Sequence, residues 1–356
     1  MMNLLQIDGV TVNYGKGART VKVLLDVSLD LPAGRIVGIV GESGSGKSTL
    51  ARAIAGLVPV SAGTVSIGET TFGPRRPRKD RRRVQMAFQD PSTSLNPRMT
   101  VEQTLRDACE GSRAAKASRI DELLLAVGLD DRHRRSFPAD LSGGQRQRVS
   151  LARALAADPD VLICDEVTSA LDAPTRFSIL SLLADLQRDH QFTLLFISHD
   201  IGAVRQICDD IAVMYAGQLV EVGAVADVIA DPQHPYTRVL LDSVPSLDRE
   251  FAVVPVDFEP VDPRDPPTGC RFNPRCPVGP SNRDDRTVCV TSDPTDDAAS
   301  RLHRSACHFS PPSSDLGYPD ITTSALSTNR AASAGSGTDA SPPSAGEQGE
   351  RHVTLS

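Results

Sequence analysis

Eight consecutive residues, Gly41-Glu42-Ser43-Gly44-Ser45-Gly46-Lys47-Ser48, fit the spacing G-x-x-x-x-G-K-[ST] at every fixed position. Glycines let such a loop curl until successive N–H groups face phosphate oxygens, and a helix opening behind it adds partial positive charge. Lys47 is then placed to reach the β- and γ-phosphates, Ser48 to ligate Mg²⁺, and Thr49 to support the α-phosphate. Further along, Val161-Leu162-Ile163-Cys164 is an apolar run that ends in two carboxylates, Asp165 and Glu166. A strand-end acid beside a phosphate loop holds Mg²⁺ through its water shell, and this role is expected of Asp165. Glu166, one residue on, points differently and is suited to polarise a water for attack on a γ-phosphate.

These groups need a scaffold. Ile36 to Val40, Val161 to Cys164 and Thr193 to Ile197 are short and apolar or β-branched, as strands buried on both faces of a parallel sheet are. Ser48 to Leu57, Gly143 to Ala156 and Arg176 to Asp189 have helical texture. The alternation predicts an α/β core with crossover helices. A single phosphate loop and no internal repeat predict one nucleotide domain.

Leu141-Ser142-Gly143-Gly144-Gln145 decides among phosphate-loop proteins. Ser142 can cap a helix whose N-terminal amides form a second anion cradle. The segment, with Arg146-Gln147-Arg148-Val149 and Ala152-Arg153-Ala154-Leu155 after it, resembles the signature motif of ABC ATPases. The resemblance covers about residues 10 to 220. It implies a P-loop (RecA-like) nucleotide-binding domain with an antiparallel β subdomain and a helical signature subdomain. It also implies a head-to-tail dimer in which Ser142, Gly143, Gly144 and Gln145 serve the ATP held by the opposite cassette. By the same resemblance Gln89 senses Mg²⁺ and the attacking water, and its loop meets a transmembrane subunit. Ser169-Ala170-Leu171-Asp172 matches the D-loop at the dimer interface. His199 matches the switch histidine at the γ-phosphate, and Tyr14 the aromatic that stacks on adenine. ATP and Mg²⁺ are the implied ligands, and active hydrolysis is expected.

From about Pro235 the texture changes to Pro, Asp and Arg. Gln233-His234-Pro235-Tyr236-Thr237-Arg238 and Ser94-Leu95-Asn96-Pro97-Arg98 resemble oligopeptide and dipeptide importer ATPases, with nickel importers the nearest alternative. This implies a second ATPase subunit, two transmembrane permeases and an extracytoplasmic binding protein, with the chain on the cytoplasmic face of the cell membrane. Cys270, Cys276, Cys289 and Cys307 are separated by 5, 12 and 17 residues. Zinc ribbons show paired C-x2-C knuckles, which are missing, whereas irregular spacing suits a [4Fe–4S] cluster. Iron–sulfur ligation, zinc and free thiols all stay open, with His303 and His308 as substitute ligands. The expected divisions are 1–235 for the ATPase domain, 236–310 for a small Cys-rich extension and 311–356 for a disordered Ser/Pro/Ala tail.

Charge and hydropathy exclude other classes. The 356 residues carry a formal net charge of −7, so no global basic field for nucleic acid exists. The dense basic run Arg75 to Arg83 reads either as a solvated loop or as a contact for anionic lipid. No apolar run is long enough to cross a membrane, and no secretory leader opens the chain. A soluble ABC ATPase acting on nucleic acid or ribosomes usually carries two nucleotide domains or a coiled-coil insert, and neither is visible.

Overall fold

Three strands that carry candidate site residues, 36–40, 161–165 and 193–197, are buried at every position, and the structure, a computed structural model, divides their side chains between two cores. It describes residues 3–15, 17–73, 77–90, 94–243, 261–294 and 303–310. Arg75, Arg76 and the proposed tail 311–356 lie outside the described residues. In chain order the strands are β1 (Asn3–Tyr14), β2 (Val21–Pro32), β3 (Ile36–Val40), β4 (Ala62–Ile67), β5 (Thr70–Phe72) and β6 (Val84–Ala87). They continue as β7 (Val161–Asp165), β8 (Thr193–Ile197), β9 (Asp210–Tyr215), β10 (Gln218–Ala224) and β11 (Arg304–Ser305). The helices are α1 (Lys47–Ile54), α2 (Arg78–Arg82), α3 (Val101–Ala108), α4 (Arg113–Ala126) and α5 (Gly143–Leu155). After them come α6 (Ala173–His190), α7 (Ile201–Ile207), α8 (Val225–Ala230), α9 (Pro235–Asp242) and α10 (Val288–Thr291).

The central sheet has the order β11-β10-β9-β3-β8-β7-β6. Its β9, β3, β8, β7 and β6 run parallel, as the unbroken apolar runs require, and β10 and β11 join antiparallel at one edge. A second, antiparallel sheet has the order β2-β1-β4-β5.

Period-two alternation sorts the side chains of the central strands. Val37 and Ile39 of β3, Ile163 of β7 and Leu195 of β8 face α1 and the antiparallel sheet, in a core with Leu50, Ile54, Leu5 and Ile7. Ile36, Val40, Leu162, Cys164, Leu194 and Phe196 face the opposite way, toward Leu151, Leu155, Ile179 and Leu183 of α5 and α6. The helical layer is closed by local caps. Thr100 and Gln103 form a reciprocal capping box on α3, and Ser112 accepts from the Ala115 amide at the start of α4.

Residues 261–294 and 303–310 pack on the nucleotide-binding domain. Phe272 is buried in the helical-side core, and β11 pairs with β10 through Glu221 with Ser305 and Val222 with Arg304. Among the described residues no helix is long and apolar enough to cross a membrane.

Candidate functional site: a phosphate loop between two sheets

The loop from Gly41 to Gly46 leaves the end of β3 and enters α1, and its backbone excludes other residue types at two points. Gly41 has φ of +155°, and a Cβ there would lie 2.1 Å from the Met214 carbonyl oxygen. Gly46, at φ +106°, is the residue before α1, where a Cβ would meet Leu24 Cδ2 at 2.9 Å. Both sites accept only glycine without backbone movement. Ser43 and Gly44, by contrast, are exposed at the loop tip.

Lys47 is buried on the inner side of this loop. Its Nζ donates to the Gly41 and Glu42 carbonyls, each at 2.8 Å. Burial lowers its pKa, while Glu166, Asp165 and Glu42 pull it back up. The ammonium therefore feels both strand-end acids. Ser48 Oγ donates to Asp165 Oδ1 at 3.0 Å, and that carboxylate is 4% exposed as a residue. Burial raises the Asp165 pKa; the Ser48 bond opposes this and Glu166 adds to it.

Glu166 turns away from Asp165 because its backbone is left-handed, with φ of +50°. Its carboxylate accepts from Gln89 Nε2 at 3.0 Å and lies 3.5 Å from His199 Nδ1. Gln89 follows β6, Glu166 ends the β7 segment and His199 follows β8, so three neighbouring parallel strands deliver the three groups to one place. Arg176 of α6 donates to Asp200 at 3.0 Å and braces the residue after His199. That contact escaped the sequence, where nothing local links Arg176 to the residue after the switch histidine.

The donor set suits Mg²⁺. This ion takes few protein oxygens and completes its shell with phosphates and water, so a hydroxyl and one carboxylate in contact are the expected provision. Ser48 and Asp165 would hold it.

The Ser142 to Gln145 turn, expected to form a second anion cradle, lies at the surface. Ser142 is exposed and Gly143, Gly144 and Gln145 are half-buried. Ser142 Oγ accepts from the Gln145 amide at 3.2 Å, while the Ser142 amide donates to Gln145 Oε1 at 2.9 Å. The first-turn amides of α5 have no acceptor within the helix. A Cβ on Gly144 would meet Thr175 at 2.7 Å, so the turn rests against the start of α6 and the D-loop segment. Tyr14 ends β1 with 40% of its surface exposed.

Glu42 has partners the sequence did not disclose. Its amide donates to Tyr236 Oη at 2.8 Å, and its carboxylate receives both terminal nitrogens of Arg275 at 2.7 and 2.9 Å. No local signal predicts this, because Arg275 lies 233 positions away.

The cysteine expectation meets a different result. Cys270, Cys276, Cys289 and Cys307 are free thiols in one region, with the Cys270 amide donating to the Cys289 carbonyl at 2.8 Å. Burial pushes Cys270 and Cys276 up to about 12, and the neighbouring thiols add to the shift. Among the described residues, however, no three His, Cys, Asp or Glu side chains are gathered as a metal-binding group. The thiols influence one another and so share one region, but no ligand shell is formed among them. The two substitute ligands are engaged elsewhere, His303 with Glu221 at 2.7 Å and His308 with the Ser292 carbonyl at 2.7 Å.

Phosphate loop, strand-end acid pair and surface helix cap together define a P-loop ATPase of the cassette type. Residues 24–169 match the family model "ABC transporter", and residues 220–281 match "Oligopeptide/dipeptide transporter, C-terminal region". The chain is 40% identical over 286 residues to a "Putative peptide import ATP-binding protein" of Brucella ovis, covering 77% of this chain and 90% of the relative. A Brucella abortus protein with the same description is 42% identical over 271 residues, covering 74% and 81%. Among solved structures, a dimeric ATP-binding cassette in a post-hydrolysis state with ADP and phosphate is 30% identical. It covers 62% of this chain and 99% of its own, with a TM-score of 0.56. CbiO1 of Clostridium perfringens, part of an ABC transporter complex, is 28% identical, with 65% and 92% coverage and a TM-score of 0.60. The chain belongs to the ABC transporter family as an ATP-binding subunit, an ATPase coupled to transport.

Proposed function

We propose that the chain powers import of di- and oligopeptides, working as one of two cassettes on the cytoplasmic face of the cell membrane. The observation that carries this reading is the match of residues 220–281 to the oligopeptide/dipeptide transporter C-terminal region, in a chain similar to relatives named for peptide import. Its partners are a second ATPase subunit, identical or similar, two membrane permeases and an extracytoplasmic substrate-binding protein. Nucleic acid is not a partner, in keeping with the net charge of −7.

In the proposed cycle ATP lies along the loop from Gly41 to Thr49, with Lys47 on its β- and γ-phosphates and Tyr14 against adenine. Mg²⁺, when bound, neutralises charge on the β- and γ-phosphate oxygens. Ser48 and Asp165 would hold that ion, with Gln89 as a further candidate ligand. Glu166 accepts the proton of the attacking water, and Gln89 and His199 orient the Glu166 carboxylate, as their 3.0 and 3.5 Å contacts allow. The Ser142 to Gln145 turn supplies the Gly143 and Gly144 amides and the Ser142 hydroxyl to the nucleotide of the opposite cassette. Hydrolysis removes the γ-phosphate that joins the cassettes, and the Gln89 loop passes the opening to a permease.

Reconstitution with the permeases in liposomes tests the reading. Peptide-dependent ATP hydrolysis and peptide uptake are expected; uptake of nickel with no response to peptides would overturn the cargo. Ligation of a [4Fe–4S] cluster by Cys270, Cys276, Cys289 and Cys307 is a finer proposal, supported by their irregular spacing and shared region alone. Anaerobic purification with iron and sulfide determination tests it: equal iron and sulfide supports the cluster, and neither element leaves four structural thiols.

A further inference from the structure

We infer that Arg275 and Tyr236 are positioning residues for the phosphate loop, so that the C-terminal segment sets the affinity of the cassette for ATP. The inference rests on the reading of that loop as the ATP site.

Glu42 is gripped on three sides. Tyr236 Oη accepts its amide at 2.8 Å, Arg275 holds its carboxylate at 2.7 and 2.9 Å, and Lys47 Nζ donates to its carbonyl at 2.8 Å. A paired guanidinium–carboxylate contact fixes direction as well as distance. The Arg275 side chain is only 8% exposed, against 35% for Glu42, so solvent competes weakly for it.

The clamp is itself supported. Arg275 Nη1 also donates to Tyr215 Oη at 3.3 Å, and the guanidinium lies 5.7 Å from the Tyr215 ring centre. The rings of Tyr215 and Tyr236 are 4.6 Å apart, and Phe272 closes the group at 5.1 and 5.4 Å from them. Arg275 ends the short turn Asn273–Arg275, whose Asn273 Nδ2 donates to the Thr268 and Cys270 carbonyls, each at 2.8 Å. The clamp thus exists only when the segment around Cys270 is folded.

The consequence concerns binding more than chemistry. The loop tip at Ser43 and Gly44 has little packing of its own, and a Cβ on Gly44 would meet nothing within 4 Å. Anchoring Glu42 reduces the ordering that ATP must impose, which tightens binding. Once ATP is bound, the phosphates hold the loop and the clamp adds little to turnover.

The test uses the purified full-length chain, with binding of a fluorescent ATP analogue and ATPase kinetics as readouts. Arg275→Ala is expected to weaken ATP roughly tenfold, with kcat within about twofold of the parent. Tyr236→Phe and Glu42→Gln, which keep shape, should weaken ATP in the same direction, and they carry the test if Arg275→Ala misfolds. Because Glu42 and Arg275 share one contact, the double variant should be no weaker than the worse single. The exchange Glu42→Arg with Arg275→Glu should recover most of the lost affinity. Single variants that bind like the parent, or losses that simply multiply, would overturn the inference. Lys47→Ala separates this from the site itself: affinity untouched by Lys47→Ala removes the ATP-site reading. Affinity lost there but unchanged in Arg275→Ala removes only the clamp.

Discussion

Ser48 donates a 3.0 Å hydrogen bond to Asp165 across 117 positions of sequence, tying the first turn of α1 to the end of β7. The two are brought together because β3, which feeds the phosphate loop, and β7 both pair with β8. Asp165 is nevertheless held in a place that disfavours its charge, since burial is the largest influence on its pKa.

Replacing that acid should therefore raise stability while removing activity. An acid whose folded pKa is raised stabilises the fold below its ordinary value of 3.8, and this contribution is lost as pH climbs through the folded value. Asp165→Asn should melt higher than the parent at neutral pH. The difference should vanish as pH falls toward 3.8. Melting curves across this range, with phosphate release measured in parallel, check both halves.

Glu166→Gln should retain ATP and lose turnover. The amide keeps the shape and an acceptor for Gln89, but it cannot take a proton. We expect kcat to fall about 10²- to 10⁴-fold with ATP affinity within about twofold. Turnover unchanged in this variant would remove Glu166 from its proposed role.

Two histidines should give the C-terminal segment an optimum pH. His234 is buried, which lowers its pKa from 6.5 to about 4 against the pull of Glu221. Its contribution is full above 6.5 and is lost as pH falls toward about 4. His303 is shifted upward, first by its hydrogen bond to Glu221 and further by Asp227 and Asp231. Its contribution is full below 6.5 and is lost as pH rises through its folded value. Amide protection at Arg304 and Ser305, taken relative to intrinsic exchange at each pH, should be greatest near neutrality and fall on either side. His303→Gln should abolish only the alkaline arm.

Gly41→Ala should damage the fold before it damages catalysis. The added carbon would lie 2.1 Å from the Met214 carbonyl oxygen at φ of +155°. Urea unfolding should show a loss of about 1–3 kcal/mol, with ATP binding falling alongside.

The elements nearest the chemistry were legible because their signals are local. β3 and β8 occupy the residues that apolar runs predict, and α5 runs Gly143–Leu155, one residue short of expectation. Helix α6 starts at Ala173, before the expected Arg176, because Pro174 fits the first turn and supports the helix rather than stopping it. The antiparallel edge was not legible. β11 has two residues, and nothing in Arg304-Ser305 itself announces a strand. The same holds for Glu221, which accepts from the Gln233 and His234 amides at 2.7 and 2.9 Å and meets His303. Pairings across such distances follow no period, so they emerge only when the sheet has brought the partners together.

Glu166 shows what its proposed role asks of the chain. At φ of +50° the main chain there adopts a conformation that glycine occupies freely and a side chain resists. A polypeptide built only to fold would be more comfortable with glycine after Asp165. Keeping an acid there means that the fold carries a standing conformational cost between the sheet and the Ser169 to Asp172 segment.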